Sequence, residues 1–263
     1  MMVGIIIPTK ENTTELFKCI DSIFNETSVP YRLYIADTGS TDEVKELTRM
    51  HLIGLYGDDY KLVEYDYYNF AKINNDMVKN HLDSDIDMVL FCNNDIEIMT
   101  EGLIDRMVEV AGKNKAHIGT VGCRLVYPND TIQHDGQNFI LPKSKNLFPC
   151  FTHINLGKDH TDSVNDRHRL TKVNGNTFAL CLMYRSLFEN IGMLNEDYIE
   201  CFEDVELNMI CNLRGKVNVV IESDQWAYHH ESLSRGKSKE AQERLTIDYR
   251  KLYYFTINNM KFK

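Results

Sequence analysis

Several short stretches of this chain place polar, acidic or imidazole groups where they could do chemistry. Pro8-Thr9-Lys10-Glu11 follows the apolar run Val3 to Ile7. Asp37 ends the run Leu33 to Ala36 and opens the turn-rich Asp37-Thr38-Gly39-Ser40-Thr41-Asp42. Asn93-Asn94-Asp95-Ile96-Glu97 follows Met88 to Cys92. Further on, Glu203-Asp204 opens a helical stretch and His229-His230 follows Trp226. Open parallel sheets bind ligands outside the carboxyl ends of their strands, so the first three stretches would converge on one crevice. No GxGxxG follows the first strand, which counts against a dinucleotide dehydrogenase, and no GxxxxGK[ST] is present to cradle phosphates. A phosphate-bearing ligand would therefore need another counter-charge, and a divalent cation held by carboxylates supplies one.

The elements that must position these groups are legible from periodicity. Val3–Ile7 is a continuous β-branched run, as in a strand buried on both faces. Leu16, Phe17, Ile20, Ile23 and Phe24 recur at helical spacing, with Thr13 or Thr14 as the expected cap. Strands are expected at Leu33–Ala36, Leu62–Tyr65, Met88–Cys92 and Ile118–Gly122, alternating with helices over Asp42–Leu52, Phe70–Leu82 and Leu103–Val110. Repeated βα units imply a parallel sheet with helices on both faces. The second half is less regular. Loops and a hairpin are expected over Asn129–Lys172, strands at Phe178–Tyr184 and Val217–Ile221, and helices over Asp204–Leu213 and Lys239–Thr256. With no repeat or linker, the chain reads as one α/β domain, 1–263, with two functional halves, 1–122 and 123–236, and a helical tail, 237–263.

Composition narrows the function. The formal net charge is −10, which argues against a binder of nucleic acid, because such proteins concentrate Lys and Arg. Seven cysteines, an odd number with no CxxC pair, imply neither a zinc knuckle nor a disulfide framework and read as reduced thiols of a cytoplasmic protein. The N-terminal apolar run stops at Pro8, so it is not read as a signal peptide, and no stretch approaches the length of a membrane span.

The sequence resembles the inverting glycosyltransferases of family 2, which have the GT-A fold. IIIPTKEN resembles the family's opening strand and nucleoside loop, and YIADTGSTD its second strand with a base-contacting aspartate. NFAKINN followed by VLFCNNDIEI resembles the approach to the metal-binding DxD-type motif. FEDVELNMICNLRGKVNVVIESDQWAYHHESLSRG resembles the catalytic carboxylate helix and the histidine-containing loop. Order and spacing make the match specific from Ile5 to about Gly236.

The resemblance implies roles residue by residue. Asp37 would hydrogen-bond the donor's base, with Thr9 and Glu11 beside the nucleoside; Asp37 would also serve simply as a turn-former. Asn69, Lys72 and Asn74 match positions that contact base, ribose or diphosphate, although Lys72 would equally be a solvated helix charge. Asp95 matches the metal-binding acid, but Asn93 stands where the strict motif has an aspartate, and its neighbour Asn94 belongs to the same donor-side turn. His229 matches a histidine that completes the metal shell, with His230 one residue away. Asp204 matches the general base and Glu203 is the second choice, while both acids would also suit a helix start. Asn174, Gly175 and Asn176 match a turn behind the donor sugar.

The implied reaction is one in-line displacement at the anomeric carbon with inversion. The donor would be a nucleoside-diphosphate sugar, UDP- or dTDP-linked, the cofactor Mn2+ or Mg2+, and the acceptor a carbohydrate or glycolipid. Residues 130–169 and the 232–238 loop are candidates for acceptor binding. A nucleotidyltransferase would carry a Gly-rich loop where Pro8-Thr9-Lys10-Glu11 stands. A non-catalytic sugar- or nucleotide-binding protein of the same fold would be expected to lose the acid pair or the histidine. Trp226, the sole tryptophan, suits either a sugar face or the core.

Overall fold

The computed structural model describes residues 1–140, 150–161, 169–230 and 238–259. The 232–238 loop expected to touch the acceptor lies almost wholly outside the described residues, as do 141–149 and 162–168 of the 130–169 stretch.

Strands and helices alternate as expected except for β5, a short strand not expected from the sequence: β1 (Met2–Thr9), α1 (Thr13–Glu26), β2 (Tyr31–Asp37), α2 (Asp42–Tyr56), β3 (Tyr60–Glu64), α3 (Phe70–Asp76), β4 (Ile86–Cys92), β5 (Ile96–Ile98), α4 (Leu103–Lys113) and β6 (Ile118–Val126). The second half adds β7 (Ile132–His134), β8 (Gln137–Ile140), β9 (Cys150–His153), β10 (Leu170–Val173), β11 (Leu180–Tyr184), α5 (Arg185–Asn190), α6 (Glu203–Leu213), β12 (Val217–His229) and α7 (Lys239–Asn259). The main sheet has the order β10-β12-β6-β11-β4-β1-β2-β3. β3, β2, β1 and β4 run parallel, as do β6 and β12. β11 joins the two groups antiparallel to both β4 and β6. β6 crosses the 122/123 division, so the two halves share one sheet.

Alternation along the buried strands divides the core. Val3, Ile5 and Ile7 pack with Leu16, Ile20 and Ile23 of α1, Leu52 of α2 and Met107 of α4 on one face. Ile6, Tyr34 and Phe91 pack with Ile73 of α3, Phe188 of α5 and Leu207 of α6 on the other. A third cluster lies under the C-terminal helix, where Leu252 meets Tyr198, Val205, Met209 and Phe139.

Local details differ from expectation. The cap of α1 is Asn12, whose Oδ1 accepts the Glu15 amide at 3.3 Å, rather than Thr13 or Thr14. The helix expected over 70–82 is α-helical only to Asp76 and closes in a π-helical turn, Met77–His81. β12 continues well beyond Ile221. An irregularity between Ile221 and Trp226 breaks its apolar pattern, after which it pairs again with β6 and with β5. That extension carries His229 to the sheet's ligand-facing edge.

Candidate active site

β1, β4 and β12 end at one cleft of about 880 Å³, and α6 begins at it. Of the residues singled out in the sequence, Thr9, Asn93, Asn94, Asp95, Glu203, Asp204, His229 and His230 line it. Apolar β1 and β4 put their last polar residues there because a parallel sheet buries everything before them. Asn94 Nδ2 donates to Thr9 Oγ1 at 3.1 Å, tying the ends of β1 and β4 together.

Asp95 is buried, and its Oδ1 stands 3.3 Å from Nε2 of His229. Asn93 Nδ2 is also 3.3 Å from that nitrogen. An imidazole nitrogen and a carboxylate oxygen at this distance either share a proton or ligate one cation together. Neighbouring ligands of one octahedral cation, bound at about 2.1 Å, lie about 3 Å apart, so this pair fits. Among the described residues no group of three or more His, Cys, Asp or Glu could hold a metal ion. Asp95, His229 and the Asn93 amide would be a sparse set, of the kind that suits a cation completed by substrate phosphates. His230 is engaged elsewhere, with Nε2 2.8 Å from Glu97 Oε2.

On the opposite wall, α6 opens with Glu203, Asp204 and Glu206 in its first turn, where the helix dipole favours acids. Asp204 Oδ2 accepts Gln137 Nε2 at 3.2 Å and the Phe178 amide at 3.3 Å, and Oδ1 accepts the Val205 amide at 2.7 Å. These bonds orient the carboxylate. Glu206 is turned away, and accepts the Tyr198 hydroxyl at 2.6 Å and Asn195 Nδ2 at 3.0 Å. Phe202, just before the helix, has φ 81°, and Glu11, next to the lining residues Lys10 and Asn12, has φ 56°. Non-glycine residues in this region are uncommon and often mark functional loops.

The remaining singled-out residues stand back from the cleft and are spent on local structure. Asp37 Oδ1 accepts the amides of Gly39 and Ser40 at 3.0 and 2.8 Å, shaping the loop that presents Thr38 to the cleft. Glu11 Oε1 accepts the Thr41 amide at 2.6 Å, bracing the same loop. Asn69 caps α3 through the Lys72 amide at 2.8 Å and donates to the Tyr198 carbonyl at 3.0 Å. Lys72 is exposed, with Nζ 4.4 Å from the centre of the Tyr67 ring. Asn74 is buried, and Nδ2 donates to the Phe70 carbonyl at 2.8 Å. Asn174 Oδ1 accepts the Phe139 amide at 2.9 Å. Gly175 has no room for a side chain, since a Cβ would stand 2.7 Å from both Asn208 Cβ and Gln137 Oε1. Asn176 is buried in a polar network, donating to Thr120 Oγ1 and the Val219 carbonyl at 2.9 Å each. Trp226 lies outside the cleft, with its ring 4.6 Å from that of His160.

Sequence reasoning missed Gln133 and Gln137, which touch His229 and Asp204. The one visible signal was Gly136 between them, in a stretch read as loops and a hairpin and as a candidate for acceptor binding. It also missed the wall made by Ile199, Glu200 and Cys201. An unremarkable composition left that wall without a sequence signature, although it lies just before Glu203.

The chain belongs to glycosyl transferase family 2, whose sequence model matches residues 4–192, more than half of its length. It is 27% identical over 243 residues to the O-antigen biosynthesis protein RfbC of Myxococcus xanthus, covering 89% of this chain and 18% of that protein. An uncharacterized protein of Sinorhizobium fredii, y4gI, is 29% identical over 263 residues, covering 95% of this chain and 27% of the relative. The chain thus spans well under half the length of both relatives. Its fold is the GT-A fold of solved glycosyltransferases. The crystal structure of GalNAc-T7 with UDP, GalNAc and Mn2+ superposes with a TM-score of 0.70 at 12% identity, over 97% of this chain and 50% of that one. The mannosyltransferase PcManGT of Pyrobaculum calidifontis, in complex with GDP-Man and Mn2+, gives 0.60 at 13% identity, over 98% and 70%. All seven cysteines are free, and no described helix is long and apolar enough to cross a membrane.

Proposed function

We propose that this domain transfers a sugar from a nucleoside-diphosphate sugar, UDP- or dTDP-linked, to an acceptor hydroxyl with inversion, using Mn2+ or Mg2+, in the synthesis of a polysaccharide or glycoconjugate. One observation carries the reading: the Asp95–His229 pair and the Glu203–Asp204 pair open onto the same cleft. The structures of similar fold that hold UDP, GalNAc and Mn2+ or GDP-Man and Mn2+ support a nucleoside-diphosphate sugar as donor.

Asp204 is the general base. Its carboxylate, held by Gln137 and the Phe178 amide, takes the proton of the attacking hydroxyl, a role worth about 10²–10⁴-fold. Glu203 shares the helix start and is the alternative base. Asp95 and His229 would hold the cation, with the Asn93 amide beside them. When bound, the cation neutralises charge on the departing nucleoside diphosphate. Thr9, Asn93 and Asn94 receive the donor at the ends of β1 and β4. Asp37 and Glu11 shape the loop next to its base, and Asn69, Lys72, Asn74, Asn174 and Gly175 support the donor site. Residues up to 122 bind donor, 123–236 serve acceptor and catalysis, and the tail buttresses them. The free thiols are consistent with a reducing, cytoplasmic setting.

Thermal shift with a panel of nucleotide sugars and Mn2+ tests the reading. A donor at 100 times its dissociation constant should stabilise the fold by about 2.7 kcal/mol. Stabilisation without transfer or hydrolysis of any donor would instead indicate a binding protein.

A further inference from the structure

His229 is held from both sides of its ring. Its Nδ1 lies 2.6 Å from Gln133 Oε1, while Nε2 faces Asp95 Oδ1 and Asn93 Nδ2, each at 3.3 Å. A neutral imidazole carries its proton on one nitrogen only, and the partner of the other nitrogen decides which. A carbonyl oxygen only accepts, so Gln133 Oε1 demands a proton on Nδ1. The Asn93 amide donates toward Nε2, which is consistent with a lone pair there.

Gln133 is not a loosely placed surface amide. It lies in β7, between Ile132 and His134, which are in register with Val126 and Leu125 of β6. Two residues on, Asp135 forms a fully buried bidentate pair with Arg124, at 2.8 Å to Nε and 2.9 Å to Nη2. Gly136 follows with φ +99°, where a Cβ would stand 2.3 Å from Val173 Cγ1. Gln137 then bonds Gly175 through its backbone amide at 2.7 Å and Asp204 through its side chain. A single locked segment therefore reaches both sides of the cleft.

We propose that Gln133 is a positioning residue that sets the tautomer of His229, holding the ring proton on Nδ1 and leaving Nε2 free to ligate a cation beside Asp95. The geometry also separates the two histidines: His229 is the one kept ligand-ready, whereas Nε2 of His230 is paired with Glu97. The inference rests on the proposed metal site, but its central claim is a property of the metal-free protein. Partners behind a ligating histidine commonly change metal affinity by about 10–100-fold.

The test is long-range 1H–15N correlation spectroscopy on the metal-free, 15N-histidine-labelled chain at pH 8, with His229 assigned from a His229→Gln spectrum. The parent should show His229 protonated on Nδ1. Gln133→Glu retains an acceptor and should keep that tautomer. Gln133→Leu should move the proton to Nε2, toward Asp95. Mn2+ affinity, titrated with UDP and separately with GDP present, should fall about 10–100-fold in Gln133→Leu and stay near the parent's in Gln133→Glu. A parent spectrum with the proton on Nε2 overturns the proposal whatever the variants do. So does a Gln133→Leu protein that keeps both tautomer and affinity. If the parent binds no Mn2+ with either nucleotide, the metal reading fails, while the parent's spectrum still decides the role of Gln133.

Discussion

The carboxylate of Asp248 accepts the backbone amide of Glu200 at 2.6 Å, and the same oxygen takes the amides of Ile199 at 2.8 Å and Cys201 at 3.3 Å. Asp248 is fully buried in α7, and those three residues form one wall of the cleft. Arg244 pairs with Glu200, and Lys251 bonds the Asp197 carbonyl, from the same helix face. Asp248→Ala removes the buried acceptor shared by three part-buried amides and should destabilise the fold by roughly 2–4 kcal/mol. Denaturant melts read this directly. A change below about 0.5 kcal/mol would mean that the loop holds itself.

Removing one member of the Asp95–His229 pair should abolish cation-dependent nucleotide binding. Asp95→Ala and His229→Ala are each expected to bind UDP or GDP no better with Mn2+ than with chelator. The parent should lose activity in chelator and regain it with Mn2+. Full turnover by the parent in excess chelator would sink the assignment.

Asp204→Asn keeps size and most hydrogen bonds but takes no proton. Turnover should fall by roughly 10²-fold or more, with donor affinity and melting temperature near the parent's. Glu203→Gln is the control. If it proves the more damaging change, the two acids exchange roles.

Asp37 now carries two expectations. Its Oδ1 holds the Gly39 and Ser40 amides, so Asp37→Ala should lose about 1 kcal/mol of stability together with nucleotide affinity. Asp37→Asn retains a carbonyl for those amides and should restore stability. Calorimetry with free nucleotide then isolates any contact to the base. Unchanged affinity in both variants leaves Asp37 as a loop-former alone.

His134 is buried, with Nδ1 2.8 Å from Nδ1 of His153. Burial first, then the neighbouring His153, holds its imidazole well below the usual histidine range. The unfolded chain takes up this proton near pH 6.5 and the folded chain only at lower pH. Unfolding is therefore proton-linked: the stability is complete above about pH 6.5 and is lost progressively as pH falls below it. Urea melts at pH 7.5 and 5.5 should show this loss, with a smaller difference in His134→Gln. Equal differences in the two proteins would remove His134 as the cause.

Periodicity alone determined the βα alternation as far as the strand expected at Ile118–Gly122, apart from the short β5, because strands buried on both faces and amphipathic helices leave local signatures. It also put Thr9 and Asn93–Asp95 at strand ends, since polar residues must appear where a buried strand emerges. The antiparallel insertion of β11 between β4 and β6 left no such mark, because an apolar run reads alike in either direction. Motif resemblance brought forward Asp204 and His229 but left His229 and His230 undivided. Only the continuation of β12 beside β5 separates them, placing one imidazole at Asp95 and the next at Glu97. Gln133, Gln137 and Asp248 were out of reach for the same reason: each acts through a residue distant in the chain. Gln133 meets His229 across 96 positions, and Asp248 meets Glu200 across 48. Local composition determines which groups a strand or helix offers, whereas the partner that orients each group is decided by how the elements pack.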